Sequence, residues 1–339
     1  MLKVILAKSY DEARSFLQEA GGQWVAIETE YGHNTIDEKC PGVALSLNHH
    51  GELQHEEAPA LAYKKNPARY DNFIISHIDL DVLFGILWTA GWLKKTKTTI
   101  ELSKYVALAD TRGFHIAKNM LEEKNPDLKE KYLAIGYLVN SWVINDNGKN
   151  IVDISKEVHK LLLRIKDIIL DGVTEDQIKS YLKWFSEQEA AAKAHLKEIR
   201  PLCGTTSDNL FIFRAPFSLT TAYAIGEVEA QIIVQYNEQS KSISISCFDE
   251  QVAQKYFGDR GVIEPLQKFF GRHAGGKKAI GGTPRSQDIQ PEMLPAFVDF
   301  LYREYFNVPE IEEISGDIKL TDSRLLGKHQ EAIMKLYKE

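Results

Sequence analysis

Short apolar runs, each followed directly by polar side chains, recur through the first third of the chain. Four of them have the length of buried strands: 24–27, 43–47, 72–76 and 105–109. A capping box at Ser9-Tyr10-Asp11-Glu12 predicts a helix to about Ala20, which Gly21-Gly22 ends. Strands that alternate with helices predict an α/β fold with a mostly parallel sheet and flanking helices.

A helical connector and a second, smaller α/β domain are predicted to follow. Helix-type apolar spacing covers about 115–140 and 155–171, and a second capping box at Thr174 predicts a long helix to about Ile199. Further strands are predicted at 210–213, 230–236 and 242–246, and further helices at about 262–270 and 291–306. We therefore expect a metal-binding domain with the connector at 1–200 and a substrate-binding domain at 201–339.

The polar cluster after the third run carries metal-competent side chains at alternate positions, His77, Asp79 and Asp81. In an extended segment alternate side chains share one face. In open α/β sheets, ligands bind beyond the carboxyl ends of the strands. One His and two carboxylates at such a place suit a hard divalent cation, Mn²⁺ or Mg²⁺. The alternative is a solvated turn in which an Asp caps the hydrophobic helix that is predicted to follow.

The other three runs also end in metal-type ligands: Glu28 and Glu30, His49 and His50, and Asp110. Two metal ions about 3.5–4 Å apart need about this many ligands, and such pairs clamp the attacking and leaving oxygens in phosphoryl transfer. Each end has a structural alternative. The two Glu residues suit a strand edge, the two His residues suit a surface turn, and Asp110 suits the N-cap of a following helix.

A glycine-rich stretch at 271–285 is a separate signal, and its candidate phosphate ligands are Arg272, His273, Gly275, Gly276, Lys277 and Arg285. Glycines let backbone N–H groups approach an anion closely, and neighbouring cations complete a phosphate or carboxylate site. The stretch is not a Walker loop, because no Gly-Lys-Ser/Thr follows a strand. The alternative is a flexible basic surface loop.

Ser76-His77-Ile78-Asp79-Leu80-Asp81 resembles the first motif of the DHH phosphoesterase superfamily, His-x-Asp-x-Asp. Asp110 stands where the second-motif aspartate of that superfamily would stand. The glycine-rich stretch with His273 resembles the Gly-Gly-His loop of the DHH-associated substrate domain. The resemblance implies a two-domain α/β protein with a Mn²⁺ pair in the cleft, which hydrolyses phosphodiesters or phosphoanhydrides.

The chain departs from the DHH pattern in the order of its motifs. No Asp-His-His follows Asp110, whereas Asn48-His49-His50-Gly51 precedes the first motif with Asn in the Asp position. Val82 stands where many members have Gly, and the second-half loop has Arg272 in the place of a glycine. A rearranged strand order would bring the two histidines to the same metal site.

Composition limits the cellular compartment and the binding partners that we expect for the protein. The net charge of −7 argues against broad binding to duplex nucleic acid. No apolar run approaches the roughly 20 residues that a membrane helix needs. The three cysteines form neither a zinc knuckle nor a disulfide framework, which favours a reducing cytoplasm. The oligomeric state stays open, a homodimer included.

These patterns together predict a metal-dependent phosphoesterase that acts on a small phosphorylated or nucleotide substrate or a short oligonucleotide. The predicted catalytic and metal ligands are His77, Asp79, Asp81, Asp110, His49 and His50, with Glu28 and Glu30 as further metal ligands. Two alternatives stay open. One is a non-catalytic regulator that binds a nucleotide or metal on the same scaffold, which Asn48 favours; the other is a metal-dependent hydrolase of another bond, such as an amide.

Overall fold

The computed structural model describes residues 2–31, 34–49, 56–65, 67–142, 148–198, 210–215, 231–238, 240–284 and 288–306. Backbone contacts divide the chain into two compact units, Met1–Glu187 and Gln188–Glu339. Among the described residues, no helix combines the length and the apolar character needed to cross a membrane.

The first unit is a five-stranded sheet flanked by helices. Its elements, in chain order, are β1 (Lys3–Ala7), α1 (Tyr10–Ala20), β2 (Trp24–Ile27), β3 (Glu30–Tyr31), β4 (Asn34–Thr35), β5 (Val43–Leu47), a 3₁₀ segment (Pro59–Lys65), β6 (Asn72–Ile75), α2 (Leu80–Thr89), α3 (Lys97–Arg112), α4 (Phe114–Lys124), a 3₁₀ turn (Pro126–Leu128), α5 (Lys129–Asn140), β7 (Ile151–Asp153), α6 (Ser155–Asp171) and α7 (Glu175–Glu198), whose last turns belong to the second unit.

The strand order of this sheet is β5-β2-β6-β1-β7. β5, β2, β6 and β1 are parallel, and only the edge strand β7 runs antiparallel. Ile27 of β2 pairs with Leu47 of β5 on one side and with Ile75 of β6 on the other. The carboxyl ends of three neighbouring strands are therefore level. The prediction of an α/β fold with a mostly parallel sheet is confirmed.

Both faces of the central strands β1, β2 and β6 are largely buried, as is typical of parallel strands. Val4 of β1 packs in one core together with α2 to α6, whereas Ile5 packs in a second core against Leu17 of α1. The alternation follows from the two-residue period of a strand. The runs at β2 and β6 are apolar at nearly every position because both of their faces are buried.

The two predicted capping boxes begin helices as expected. The Ser9 hydroxyl accepts from the backbone N–H of Glu12 at the start of α1. At the start of α7, the Thr174 hydroxyl accepts from the Gln177 N–H at 3.3 Å, and the Gln177 side chain accepts from the Thr174 N–H at 2.8 Å. Each side chain satisfies a backbone donor that the helix leaves without a partner.

The predicted strand at 105–109 is wrong, because these residues belong to helix α3. Thr96 caps the helix through a reciprocal capping box with Thr99. Leu102, Tyr105 and Val106 are buried, which is the spacing of a helix that packs one face. A short apolar run does not by itself distinguish a buried strand from a buried helical segment.

The second unit, in its described residues, is a mixed sheet covered by helices. Its further elements are β8 (Leu210–Ala215), β9 (Ile232–Asn237), β10 (Ser242–Cys247), α8 (Glu250–Phe257), α9 (Ile263–Phe270), β11 (Gly275–Lys277), β12 (Ile280–Gly282) and α10 (Met293–Glu304). The strand order is β11-β12-β10-β9-β8, with β8 and β9 parallel and the other pairs antiparallel. Its core joins β9 and β10 to α8, α9 and α10. The predicted glycine-rich loop is largely the hairpin β11–β12.

Candidate metal centre

Three neighbouring strands of the first unit deliver a metal-type side chain at their carboxyl ends. Glu28 directly follows β2, His49 stands two residues after β5, and His77 stands two residues after β6. Because β2 lies between β5 and β6, Glu28 lies between the two histidines. This is the edge of an open α/β sheet at which ligands bind.

The inner cluster consists of Glu28, His49, Asp81 and Asp110, whose ligand atoms all lie within 4.8 Å of one another. His49 Nε2 lies 2.8 Å from Glu28 Oε1, 3.2 Å from Asp81 Oδ2 and 3.5 Å from Asp110 Oδ2. The side chains are 0–3% exposed, apart from Asp110 at 13%. A group of three carboxylates and one imidazole is therefore held almost out of contact with water.

The outer cluster consists of Glu28, His77 and Asp79. His77 Nε2 lies 2.8 Å from Glu28 Oε2 and 3.2 Å from Asp79 Oδ2. The His77 side chain is 23% exposed and that of Asp79 is 38% exposed. A substrate can therefore reach the outer cluster more readily than the inner one.

Glu28 connects the two clusters, because one carboxylate oxygen faces His49 and the other faces His77. Its backbone is left-handed, with φ 49°, a conformation that costs a non-glycine residue about 1–2 kcal/mol. The neighbouring strands hold it there: the Glu28 N–H donates to Leu47 O at 3.3 Å, and the Ser76 hydroxyl donates to Glu28 O. Backbone strain that the surroundings enforce is typical of functional sites.

Asn48 fixes the segment that follows Glu28. Its Oδ1 accepts from the Thr29 N–H at 2.7 Å, and its Nδ2 donates to Ile36 O at 2.7 Å and to Ser46 Oγ at 2.8 Å. The amide thus uses both its donor and its acceptor side within the protein, and the side chain is 3% exposed. Asn48 therefore connects three segments through its side chain, and an aspartate would lack the N–H donor that the Ile36 carbonyl needs.

Asp81 reaches the inner cluster from the first turn of α2. Its Oδ1 accepts from the Ala60 N–H at 2.9 Å, which connects α2 to the 3₁₀ segment. Gly85 permits this close packing, since a Cβ there would lie 2.9 Å from Pro59 Cβ. Among the described residues, Asp81 Oδ2 makes no hydrogen bond of normal geometry and faces His49 at 3.2 Å.

The acidity of Asp81 is strongly perturbed. The pKa of this carboxyl is raised from 3.8 to about 6: burial is the largest cause, contact with His49 opposes the rise, and the negative charges of Glu28 and Asp79 add to it. The anion is thus destabilised by its surroundings near neutral pH. A bound cation would reverse this effect.

The donor set fits a divalent cation. One imidazole N–H cannot donate to three carboxylates at once, yet three carboxylate oxygens lie 2.8–3.5 Å from His49 Nε2. Imidazole nitrogens and carboxylate oxygens suit Mn²⁺ and, with fewer nitrogens, Mg²⁺. The residues could hold one ion in each cluster, with Glu28 between them.

The structure brings together six of the predicted ligands: Glu28, His49, His77, Asp79, Asp81 and Asp110. The expectation that positions 77, 79 and 81 share one face of an extended segment is wrong. Asp79 is the N-cap of α2, where its Oδ1 accepts from the Val82 N–H at 2.9 Å, so Asp81 is already helical and belongs to the other cluster. Asp110 comes from the last turn of α3 and not from a strand end.

Glu30 belongs to neither cluster. It is the first residue of the short strand β3. His50 lies outside the described residues, so its predicted role stays a prediction.

The predicted phosphate ligands belong to the second unit. Arg272 and His273 are exposed beside the end of α9, with Arg272 Nε 3.4 Å from His273 Nε2, and Arg285 lies outside the described residues. Gly275, Gly276 and Lys277 form β11. A Cβ on Gly276 would lie 2.4 Å from Gly281 Cα, so packing of the hairpin accounts for this glycine. Binding of phosphate by these residues stays a prediction.

Sequence reasoning missed Ser76 as part of the site. Its hydroxyl contacts His77 Nδ1 at 2.8 Å and donates to the carbonyl of Glu28. Such partners fix the orientation of a metal-binding imidazole. Its position directly after a strand and before a candidate ligand was the available signal.

In comparisons with protein-family models, curated proteins and solved structures, nothing matches this chain. The resemblance to the DHH superfamily therefore stays a prediction that rests on the motifs themselves.

Proposed function

We propose that the chain is a metal-dependent hydrolase that cleaves a phosphodiester or phosphoanhydride of a small nucleotide-like substrate. We propose further that it is related to the DHH phosphoesterases. Mn²⁺ or Mg²⁺ would be held by Glu28, His49, Asp81 and Asp110 in the inner cluster and by Glu28, His77 and Asp79 in the outer one. When bound, a pair of such ions supplies an activated water and offsets the charge of the phosphoryl oxygens.

The observation that carries this proposal is the position of Glu28 between two ligand clusters. One carboxylate oxygen lies 2.8 Å from His49 and the other lies 2.8 Å from His77. A buried carboxylate that faces two histidines, with three further carboxylates beside it, matches what a pair of adjacent cations requires. A structural ion pair would not need so many acids around so few bases.

The residues of the outer cluster are the ones that a substrate would meet. His77 and Asp79 are the most exposed of the six candidate ligands. Ser76 orients the His77 ring from its Nδ1 side, which leaves Nε2 directed at the carboxylates. The buried inner cluster would anchor a cation and exclude competing water.

The test is hydrolysis across a panel of nucleotides, dinucleotides, short oligonucleotides and pyrophosphate, with Mn²⁺, with Mg²⁺ and with EDTA. We expect turnover of at least one member that depends on Mn²⁺ or Mg²⁺ and that is lost in Asp79→Ala. Glu30→Gln is the matched control, because Glu30 is a neighbouring acid outside both clusters, and this variant should keep its activity.

A regulator without catalysis is the competing function. It would bind Mn²⁺ and a nucleotide tightly, give no product across the panel, and lose metal binding in Asp79→Ala. Its earlier support, Asn48, is now explained by the hydrogen bonds of the amide. Unchanged turnover in Asp79→Ala, or tight Mn²⁺ binding without any product, would refute the proposed hydrolase.

A further inference from the structure

A cavity of about 270 Å³ opens beside the outer cluster in the first unit. Its lining is contributed by the carboxyl end of β1, the segment after β6 and the end of α5: Leu6, Ser76, His77, Ile78, Val139 and Trp142. His77 is thus shared between the cavity and the outer cluster. A molecule in the cavity would lie next to the candidate metal site.

The lining combines apolar and polar side chains. Leu6, Ile78 and Val139 are aliphatic and Trp142 is aromatic, whereas Ser76 and His77 are polar, and His77 also belongs to the outer cluster. The cavity therefore suits a ligand with an apolar, flat part and a polar, anionic end. The anionic end would contact a cation of the outer cluster, and the flat part would stack on Trp142.

Size restricts the occupant further. Pockets for drug-sized ligands measure about 300–1,000 Å³, and this cavity lies just below that range at about 270 Å³. One ring system fits, and a run of stacked bases does not.

We propose that this cavity binds the base of a single nucleoside phosphate, with Trp142 as the stacking residue and the phosphate directed to the outer cluster. This inference rests on the proposed function for the role of the phosphate, but the preference for a base can be measured without metal or turnover. It restricts the substrate class to mononucleotides, dinucleotides and the terminal residue of a longer chain.

Calorimetric titration of the full chain with AMP and with ribose 5-phosphate, each with Mn²⁺ and with EDTA, tests the proposal. The two probes carry the same phosphate and sugar and differ in the base. We expect AMP to bind more tightly. Trp142→Ala should weaken AMP binding by about 5- to 150-fold, the range for loss of a base–aromatic stack, and leave ribose 5-phosphate unchanged. Trp142→Phe should weaken AMP binding by a smaller factor, because a phenyl ring can still stack on the base.

Two further variants separate the cavity from general damage. Trp92→Ala removes another half-buried indole of the same unit outside the cavity and should keep the preference for AMP. Val139→Phe fills the cavity without opening a void, and it replaces Trp142→Ala as the test of base binding if that variant does not fold. It should abolish the preference.

The outcomes distinguish the two proposals. Equal binding of AMP and ribose 5-phosphate to the wild type, or a preference that survives in both Trp142→Ala and Val139→Phe, overturns the base-binding cavity. Metal-dependent hydrolysis could still hold in that case. A preference for AMP that depends on Trp142, in a protein that shows neither Mn²⁺ binding nor turnover, supports the cavity and refutes the hydrolase.

Discussion

Replacement of Asp81 by Asn should stabilise the metal-free protein while weakening its metal binding. Asp81 is 1% exposed, and its pKa is raised from 3.8 to about 6 by burial and by neighbouring carboxylates. The Asn side chain keeps the oxygen that accepts from the Ala60 N–H and removes the buried charge. It adds an N–H donor on the side that faces His49 and Glu28.

The magnitude follows from the difference between the folded and unfolded pKa values. Between pH 3.8 and about 6 the folded state holds a proton that the unfolded state has lost, so the free energy of unfolding falls as the pH rises through this window. The destabilisation is absent below the window and complete above it. At about 1.4 kcal/mol for each pH unit, it amounts to about 3 kcal/mol at pH 7.

Urea unfolding in EDTA at several values between pH 4 and 8 measures this effect. Asp81→Asn should be more stable than the wild type by up to about 3 kcal/mol at pH 7 and by little at pH 4. Asp167→Asn, at an exposed position of α6, is the control and should track the wild type. In Mn²⁺ at 100 times the wild-type Kd, the wild type should gain about 2.7 kcal/mol, and the variant should gain much less.

Two results would refute the reasoning. One is a metal-free Asp81→Asn variant that is less stable than the wild type at pH 7. The other is a stability difference that stays constant from pH 4 to 8, since this would mean that the Asp81 carboxyl is not the group whose charge is destabilising.

Three further variants test the geometry of the site. Glu28→Gln should weaken Mn²⁺ binding, measured by electron paramagnetic resonance, by more than the roughly 10- to 100-fold that loss of an outer-shell partner costs, while Glu30→Gln should match the wild type. Ser76→Ala should weaken Mn²⁺ binding by about 10- to 100-fold, because the His77 ring loses its orienting contact. An unchanged Mn²⁺ affinity would contradict this role of Ser76. Asn48→Asp should destabilise the fold by about 1–3 kcal/mol in urea, because the buried Ile36 carbonyl loses its donor; a gain in Mn²⁺ affinity without loss of stability would instead identify position 48 as a ligand.

The strands of the site could be predicted because their signals are local. β2 and β6 are buried on both faces and β5 is buried at both ends, so all three appear in the sequence as short apolar runs. In each case the polar residue after the run marks the strand end. Glu28, His49 and His77 were therefore accessible to sequence reasoning as residues at the same edge of a sheet.

The helical ligands could not be placed in the same way. The apolar run before Asp110 fits a strand as well as it fits the buried face of α3, and only packing of Leu102 and Tyr105 decides between them. The division of Asp79 and Asp81 between two clusters depends on where α2 begins. Helix boundaries are set by capping contacts that a residue pattern locates to within a few positions.

Strand order, and not motif order, determines which ligands meet. β5 precedes β6 in the chain, yet β2 lies between them in the sheet, so the His-bearing segment that comes first along the chain reaches the same Glu28 as the His-x-Asp-x-Asp segment. The upstream position of His49 is therefore no obstacle to a shared metal site.

The position of Asp110 is a second argument for a cation in this cluster. Asp110 stands in the last turn of α3, where the helix dipole disfavours an anion, and its carboxylate lies within 4.8 Å of the ligand atoms of two other carboxylates, Glu28 and Asp81, and of His49. A carboxylate in such a place destabilises the metal-free fold, and a bound cation turns the same arrangement into a stabilising one.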